Sequence, residues 1–224
     1  MALGHVGHVE RELQPIPGLD IDISRLIQIP IKLADYTQPK RFRFIDCDYL
    51  LHKDKLRLWE TTELPTGRYA TISYVWQGLP PTTDEQTLSF TFASAGNASR
   101  FQVDVLKSAC GLALHKGVNL IWLDGLCILQ TSDEDQGWQI QNMYDVYSRC
   151  HHCVVLPAGM TRLATLEVTN TWIGRNWTLQ EAVAPKTTYV LFAWTHGTCY
   201  FDGTSLGWVF ELETGESSVR LGLY

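Results

Sequence analysis

The sequence predicts an α/β fold with a parallel sheet covered by helices on both faces. Between about residues 70 and 192, apolar runs typical of strands alternate with segments of helical periodicity, in the order β-α-β-α-β-α-β. The predicted strands are almost continuously apolar, which is typical of a sheet buried on both faces. Ligands of such folds bind beyond the carboxyl ends of the strands, where the strand order reverses.

Four apolar runs are the predicted strands of this sheet. Each is short, rich in β-branched or aromatic residues, and closed by a turn signal or a polar residue. They are Ala70–Trp76, Asn119–Asp124, Cys153–Leu156 and Thr187–Phe192. The polar segment 79–100 is predicted to be a loop, with a candidate strand at Leu88–Phe92.

Three helices are predicted between these strands. Val103–Lys116 has apolar residues at helical spacing and ends before Gly117. Asn176–Val183 is helical in composition and ends before Pro185. Trp138–Arg149 carries an apolar stripe at i, i+3, i+4 and i+7, which predicts that this side of the helix faces the core. The stripe consists of Ile140, Met143, Tyr144 and Tyr147.

The two ends of the chain are predicted to differ from the middle. We expect residues 1–65 to form an N-terminal extension, residues 66–200 the main domain and residues 201–224 a C-terminal tail. Residues 1–34 are predicted to be irregular because prolines and a glycine interrupt them. Segments 41–50 and 55–59 alternate apolar and polar residues, which predicts a short β-hairpin.

Composition excludes several classes of protein. The net charge is −6, and the basic cluster Lys40, Arg41 and Arg43 is too short to make a basic face, so we expect no nucleic-acid partner. No stretch approaches the ~20 apolar residues that span a bilayer. The first ten residues also lack the apolar segment of a secretory signal. We therefore expect a cytoplasmic protein without a membrane span.

The six cysteines are expected to be free thiols, as is usual in a reducing compartment. The segment Cys150-His151-His152-Cys153 could be half of a zinc site, but structural zinc sites need four ligands, usually as two spaced pairs. The interpretation that we favour is that Cys150 ends a helix and Cys153 begins a buried strand. We accordingly expect no metal ligands.

Three blocks of the sequence carry a family resemblance. They are Tyr69–Gly78, then Trp122–Gln130 with Glu134, Gln139, Met143 and Tyr147 after it, and finally Arg175–Glu181. Their order and spacing resemble those of the heterokaryon incompatibility (HET) domain of filamentous fungi, over about residues 66–192. The resemblance implies an effector of fungal non-self recognition whose activation triggers programmed cell death.

HET domains are in turn similar to TIR (Toll/interleukin-1 receptor) domains, and this chain shows that more remote likeness too. Ile72-Ser73-Tyr74 resembles the first TIR strand, and Trp177-Thr-Leu-Gln-Glu181 resembles the Trp-Cys-x-x-Glu segment of the third TIR helix. The likeness implies a TIR-like (flavodoxin-like) parallel sheet flanked by helices, with the hairpin as an N-terminal extension. It also implies that Glu181 is catalytic and that NAD is a substrate, cleaved at the nicotinamide–ribose bond, rather than a permanently bound cofactor.

The residues expected to bind this substrate lie at the ends of the first two strands and beside Glu181. They are Ser73, Tyr74, Trp76, Gly78, Asp124 and Trp177. A carboxylate beside the sugar stabilises the positive charge of an oxocarbenium-like transition state, and a tryptophan can supply an aromatic face. Asp124 ends an apolar strand, so it either caps the following turn or faces the crevice.

Two alternatives stay open at this point. Glu181 could instead be an exposed helix residue, paired with Arg175 or Lys186 at little energetic benefit. The domain could also be a non-enzymatic interaction module that acts by self-assembly, because one fold can host either function. The expected partners are a second copy of the chain or a partner incompatibility protein.

Overall fold

The computed structural model describes residues 13–28, 30–76, 78–80, 88–91, 100–165, 172, 178–194, 197–203 and 206–211. The strands within them are β1 (Gln14–Asp22), β2 (Phe42–Asp46), β3 (Lys55–Thr61), β4 (Tyr69–Tyr74), β5 (Ser89–Thr91), β6 (Arg100–Gln102), β7 (Leu120–Trp122), β8 (His152–Leu156), β9 (Thr188–Trp194), β10 (Gly197–Phe201) and β11 (Leu206–Glu211). The helices are α1 (Ile23–Leu26), a short 3-10 helix (Leu33–Asp35), α2 (Cys47–His52), α3 (Val103–His115), α4 (Asp124–Cys127), α5 (Asp133–Ser148) and α6 (Thr178–Val183).

The central sheet is mixed, with a parallel centre. Its strand order is β1-β3-β2-β7-β4-β8-β9-β10-β11, and β5 pairs only with β6 in a separate two-stranded ribbon. Strands β7, β4, β8 and β9 are parallel, and they lie in the spatial order second, first, third, fourth along the chain. This is the order with which flavodoxin-like sheets begin, and its reversal point lies between β4 and β8. The alternation predicted for residues 70–192 is therefore confirmed.

The predicted parallel sheet is present at the centre, but both of its edges carry additional antiparallel strands. Strands β1, β3 and β2 extend the sheet beyond β7 with antiparallel pairing, and β10 and β11 extend it beyond β9 in the same way. The irregularity predicted for residues 1–34 is wrong where the structure describes them, because Gln14–Asp22 is strand β1. Prolines are compatible with that strand because it lies at the sheet edge.

The predicted hairpin pairs as expected but has a different connection. Strands β2 and β3 are antiparallel neighbours, and the six-residue helix α2 joins them instead of a tight turn. The Asp46 side chain accepts a hydrogen bond from the Tyr49 amide at 3.1 Å, which caps this helix. The same carboxyl group accepts from the Trp59 indole at 2.8 Å, so the helix is fixed to β3.

The helices form two layers around the parallel strands. Helix α3 packs on α2 and on strands β4 and β7, whereas α5 packs on α6. On the α5 side, the Tyr69 hydroxyl donates to the Val146 carbonyl and the Tyr147 hydroxyl donates to the Ile72 carbonyl. Two layers are required because the connection from β4 to β7 and the connection from β7 to β8 cross the sheet in opposite directions. Right-handed connections then place their helices on opposite faces of the sheet.

Helix α5 does not bury the stripe that its periodicity predicts. Of the four stripe residues only Tyr147 is fully buried, while Ile140 is 51% and Tyr144 60% exposed. The inner face instead includes Asp135 and Gln139, which are both buried. Gln139 donates to the Arg41 carbonyl at 2.8 Å, and Asp135 binds an arginine, so polar partners in the core decide which side of α5 faces inward.

The arginine that binds Asp135 is Arg43 on β2, and neither side chain is exposed to solvent. The shortest contact between guanidinium and carboxylate is 3.0 Å, and Arg43 also donates to the carbonyls of Cys127 and Gln38. Asp135 additionally accepts from the Leu129 amide at 2.8 Å. The pair therefore joins β2, the α4–α5 connection and the first turn of α5, and it removes Arg43 from the basic cluster seen in the sequence.

All six cysteines are free and buried. Helix α5 ends at Ser148, just before Cys150, and Cys153 lies in β8, which agrees with the interpretation favoured over half a zinc site. Within the described part of the chain, no three histidine, cysteine or acidic residues are placed to hold a metal ion. None of the described helices is long and apolar enough to cross a membrane.

We expect Arg43→Met to reduce the free energy of unfolding by about 3–5 kcal/mol, because it leaves the buried Asp135 carboxylate without its counter-charge. Urea denaturation would measure the loss. Lys40→Gln is the matched control, since Lys40 pairs with Glu134 at 2.8 Å on the surface and such pairs contribute about 0–1 kcal/mol. Equal effects of the two substitutions would contradict this account of the buried pair.

We also expect the protein to lose stability in acid through His152, a buried residue at the start of β8. Burial first, and then the charges of His151 and Lys116, lower the pKa of His152 to about 3. Between pH ~6.5 and that value only the unfolded chain binds the proton, so stability falls as pH falls, by up to about 1.4 kcal/mol per pH unit. Denaturant titrations across this range would measure the slope, and an unchanged slope in His152→Phe would refute the assignment.

Candidate active site

A cavity of about 300 Å³ opens beyond the carboxyl ends of β4 and β7, on the side of the sheet covered by α5. The residues that line it come from the ends of both strands, the α4–α5 connection, α5 and α6. They are Trp76, Asp124, Ile128, Gln130, Gln136, Ile140, Met143 and Glu181. The structure therefore brings Trp76, Asp124 and Glu181, three of the residues nominated from the sequence, to one pocket.

Glu181 lies on α6 and is only 5% exposed, so the alternative that it is an exposed surface residue is wrong. The Ser73 hydroxyl donates to Glu181 Oε2 at 2.5 Å. The indole nitrogen of Trp172 in turn donates to Ser73 Oγ at 2.8 Å. Since the serine oxygen accepts from the indole, its own proton is directed to Glu181, and the carboxyl group is held against the end of β4.

Trp76 follows β4 and supplies the aromatic ring among the described lining residues, and the residue is 53% exposed. Its indole nitrogen donates to Asp124 Oδ2 at 2.9 Å. The other Asp124 oxygen accepts from the Gly125 amide at 2.6 Å. Both roles considered for Asp124 are therefore present. Its side chain holds the turn at the start of α4, and it also faces the crevice, where it fixes the Trp76 indole.

The α4–α5 connection forms one wall of the pocket. Gln130 donates to the Asp124 carbonyl at 2.9 Å, and Gln136 donates to the Gln130 carbonyl at 2.6 Å. A second cavity of about 260 Å³ lies across this connection and shares Ile128 and Gln130 with the first. That cavity is also lined by Lys32, whereas the lining described for the first cavity has no basic residue.

Two of the nominated binding residues occupy other positions. Tyr74 is buried and does not line the pocket; a Cβ added to Gly125 would lie 2.8 Å from its hydroxyl. Gly78 packs against the chain after β8, where an added Cβ would lie 2.3 Å from the Ala158 carbonyl oxygen. Gly159 there has φ +87°, a conformation that suits glycine. Trp177 lies outside the described residues.

Several contributors were not predicted from the sequence. The sequence does not indicate that Trp172 belongs to the site, because its hydrogen bond to Ser73 is seen only in the folded structure. Ile140 and Met143 were expected in the core and instead line the pocket.

The chemistry available to this pocket is that of carboxyl groups and an aromatic ring. The nearby Cys127 is fully buried, and burial raises the pKa of its thiol to about 12, so it lacks the thiolate that a nucleophile needs. Tyr147 is buried too, and burial together with the Glu181 charge holds the pKa of its hydroxyl well above its usual value. Among the described lining residues, Glu181 and Asp124 therefore remain as the groups able to stabilise positive charge.

Comparison with known proteins gives one family. Residues 69–168 match the family described as heterokaryon incompatibility protein (HET). Searches of curated proteins and of solved structures found no significant match, so nothing in them bears on the likeness to TIR domains. The matched range contains the first two sequence blocks with Ser73, Trp76 and Asp124, and it ends before Glu181. The resemblance of this chain to the heterokaryon incompatibility (HET) family is therefore confirmed over residues 69–168.

Proposed function

We propose that this chain is a cytoplasmic effector of fungal heterokaryon incompatibility that triggers cell death by cleaving the nicotinamide–ribose bond of NAD. The observation that carries the proposal is the position of Glu181, a buried acid that lines the pocket beyond the end of β4. Ser73 orients that group through a direct hydrogen bond, and Trp76 offers an aromatic face at the rim of the same pocket.

The reaction needs few groups from the protein. The bond between C1′ of the ribose and the pyridinium nitrogen breaks, and its electron pair neutralises the ring, so nicotinamide leaves without a general acid. The Glu181 carboxylate stabilises the oxocarbenium-like ribose that forms. Water then adds to C1′, and its proton passes to solvent, which gives ADP-ribose, nicotinamide and one proton.

We expect Glu181→Gln to reduce kcat for NAD cleavage by roughly 10²–10³-fold, because an amide carries no charge to stabilise the transition state. Ser73→Ala should cause a smaller loss of roughly tenfold, since it removes one hydrogen bond to a charged group. Release of nicotinamide from NAD by the purified protein measures both.

Glu63→Gln is the matched control for this experiment, since Glu63 is an exposed acid outside the pocket and should keep full activity. Turnover that survives Glu181→Gln would remove Glu181 from the mechanism. Absence of turnover in the wild type, both dilute and assembled, would refute the enzymatic proposal.

A second candidate function is signalling by self-assembly, and the outer face of α5 favours it. Ile140 and Tyr144 are exposed one turn apart on this helix, and Val183 on the contacting helix α6 is exposed as well. Apolar side chains gathered on one surface are typical of sites where proteins associate. This function does not depend on cleavage, and the two could coexist in one domain.

If the chain signals in this way, Tyr144→Glu should lower its tendency to assemble at least about tenfold, because a charge would be buried at the contact. Sedimentation analysis over a range of protein concentrations would measure the change. Ser24→Glu introduces the same charge on the exposed part of α1, which follows the edge strand β1, and should have no effect. A monomeric wild type, or equal effects of both variants, would argue against assembly through α5.

A further inference from the structure

The second cavity lies between the segment that precedes β2 and the α4–α5 connection. One wall consists of residues 32–35, and the other consists of Gly125 and residues 128–131. Ile128 and Gln130 belong to the lining of both cavities, so the α4–α5 connection is the boundary that the two cavities share. A molecule bound in the second cavity would therefore lie next to the candidate active site.

The buried guanidinium of Arg43 holds both walls of this second cavity. It donates to the Cys127 carbonyl at 2.9 Å, immediately before the wall formed by residues 128–131. It also donates to the Gln38 carbonyl at 2.5 Å, shortly after the wall formed by residues 32–35. Because one buried side chain binds the backbone beside each wall, the shape of the cavity is set by the fold before any ligand binds.

Two charged side chains, Lys32 and Asp35, line the cavity from one turn of the chain. The Asp35 amide donates to the Lys32 carbonyl at 3.1 Å, which closes this turn. The neighbouring Ile31 and Leu33 are buried and anchor the turn, whereas Lys32 and Asp35 are exposed. Among the residues that the structure describes, neither charged side chain belongs to an ion pair, so both can bind a ligand.

The lining combines groups that recognise the different parts of a nucleotide. A lysine ammonium binds phosphate as a point charge, and a carboxylate accepts hydrogen bonds from ribose hydroxyls. The apolar side chains of Leu33, Ile128 and Leu129 offer a surface on which a base can pack. The cavity is thus complementary to a nucleoside monophosphate.

The sizes of the two cavities indicate that they hold two parts of one ligand. Their volumes are about 300 Å³ and about 260 Å³, at and below the lower end of the range for pockets that bind whole small molecules. Neither volume suits a complete dinucleotide, but each suits one half of it. A dinucleotide with one half in each cavity would cross the α4–α5 connection at Gln130, which lines both.

We propose that the second cavity binds the adenosine monophosphate (AMP) half of NAD, with Lys32 at the phosphate and Asp35 at the ribose hydroxyls. The inference rests on the proposed function, since the nicotinamide half then occupies the first cavity beside Glu181. Contacts to the AMP half are the same before and during bond cleavage, so they contribute affinity for the substrate rather than a faster chemical step. The segment that precedes β2 thereby takes part in substrate recognition.

Binding of AMP tests the inference without any reaction. We expect calorimetry to show that AMP binds the wild type and that Lys32→Gln weakens this binding about fivefold, because the phosphate loses its counter-charge. Adenosine has no phosphate, so the substitution should change its affinity much less, and added salt should weaken binding of AMP more than binding of adenosine. Lys53→Gln is the matched control, because Lys53 is also exposed and lines neither cavity.

Kinetics connect the second cavity to the reaction. Lys32→Gln should raise KM for NAD about fivefold and change kcat little. It should raise KM for nicotinamide riboside, which has no AMP half, much less. AMP should inhibit the cleavage of NAD competitively, and Lys53→Gln should behave like the wild type with both substrates.

The inference is overturned if AMP does not bind, or if it binds the wild type and Lys32→Gln equally well. An equal rise in KM for both substrates would also contradict it, as would inhibition by AMP that is not competitive with NAD. Failure of the proposed function has a different signature. AMP would bind as expected and bind less tightly to Lys32→Gln, but the wild type would release no nicotinamide from NAD.

Discussion

The contact between Arg43 and Asp135 ties the first turn of helix α5 to strand β2 and helps to fix which side of the helix faces the sheet. Two fully buried charges are costly unless each has several partners, and this pair obtains them from the backbone of two separate segments, at Gln38 and at Cys127 and Leu129. Because one of those partners is the Leu129 amide, the α4–α5 connection is held in the same network. The wall of the pocket that the α4–α5 connection forms is therefore held in place by an ion pair in the protein interior.

The pocket illustrates how a doubly wound sheet assembles a site from distant parts of the sequence. Ser73 and Trp76 come from the end of one strand, Asp124 follows its neighbour, and Glu181 arrives on a helix more than fifty residues later. Each polar side chain has a partner that fixes its direction, so the site is organised before any ligand binds. Preorganised carboxyl groups stabilise developing charge without having to reorient during the reaction.

Much of the fold was predictable because continuous apolar strands and helical spacing are local signals. The pairing of β1 and the addition of β10 and β11 were not, since edge strands depend on long-range contacts rather than on periodicity. The orientation of α5 was predicted wrongly for a related reason. The sequence shows the apolar stripe of the helix, but it does not show that Asp135 and Gln139 have buried partners elsewhere in the chain. At the site, Trp76 and Asp124 could be predicted because each ends a predicted strand. Trp172 could not, because its hydrogen bond to Ser73 is seen only in the folded structure.

The close approach of Gly78 and Gly159 has a mechanical consequence. An added Cβ on Gly159 would lie 2.6 Å from the Val75 carbonyl oxygen and 2.7 Å from the Gly78 Cα, so the chains leaving β4 and β8 are locked together without intervening side chains. A hydrogen bond from the Leu79 amide to the Ala158 carbonyl reinforces the junction. The segment that leads from β4 to Trp76 is accordingly held by backbone contacts with the chain after β8, and a side chain at either glycine would force these two segments apart.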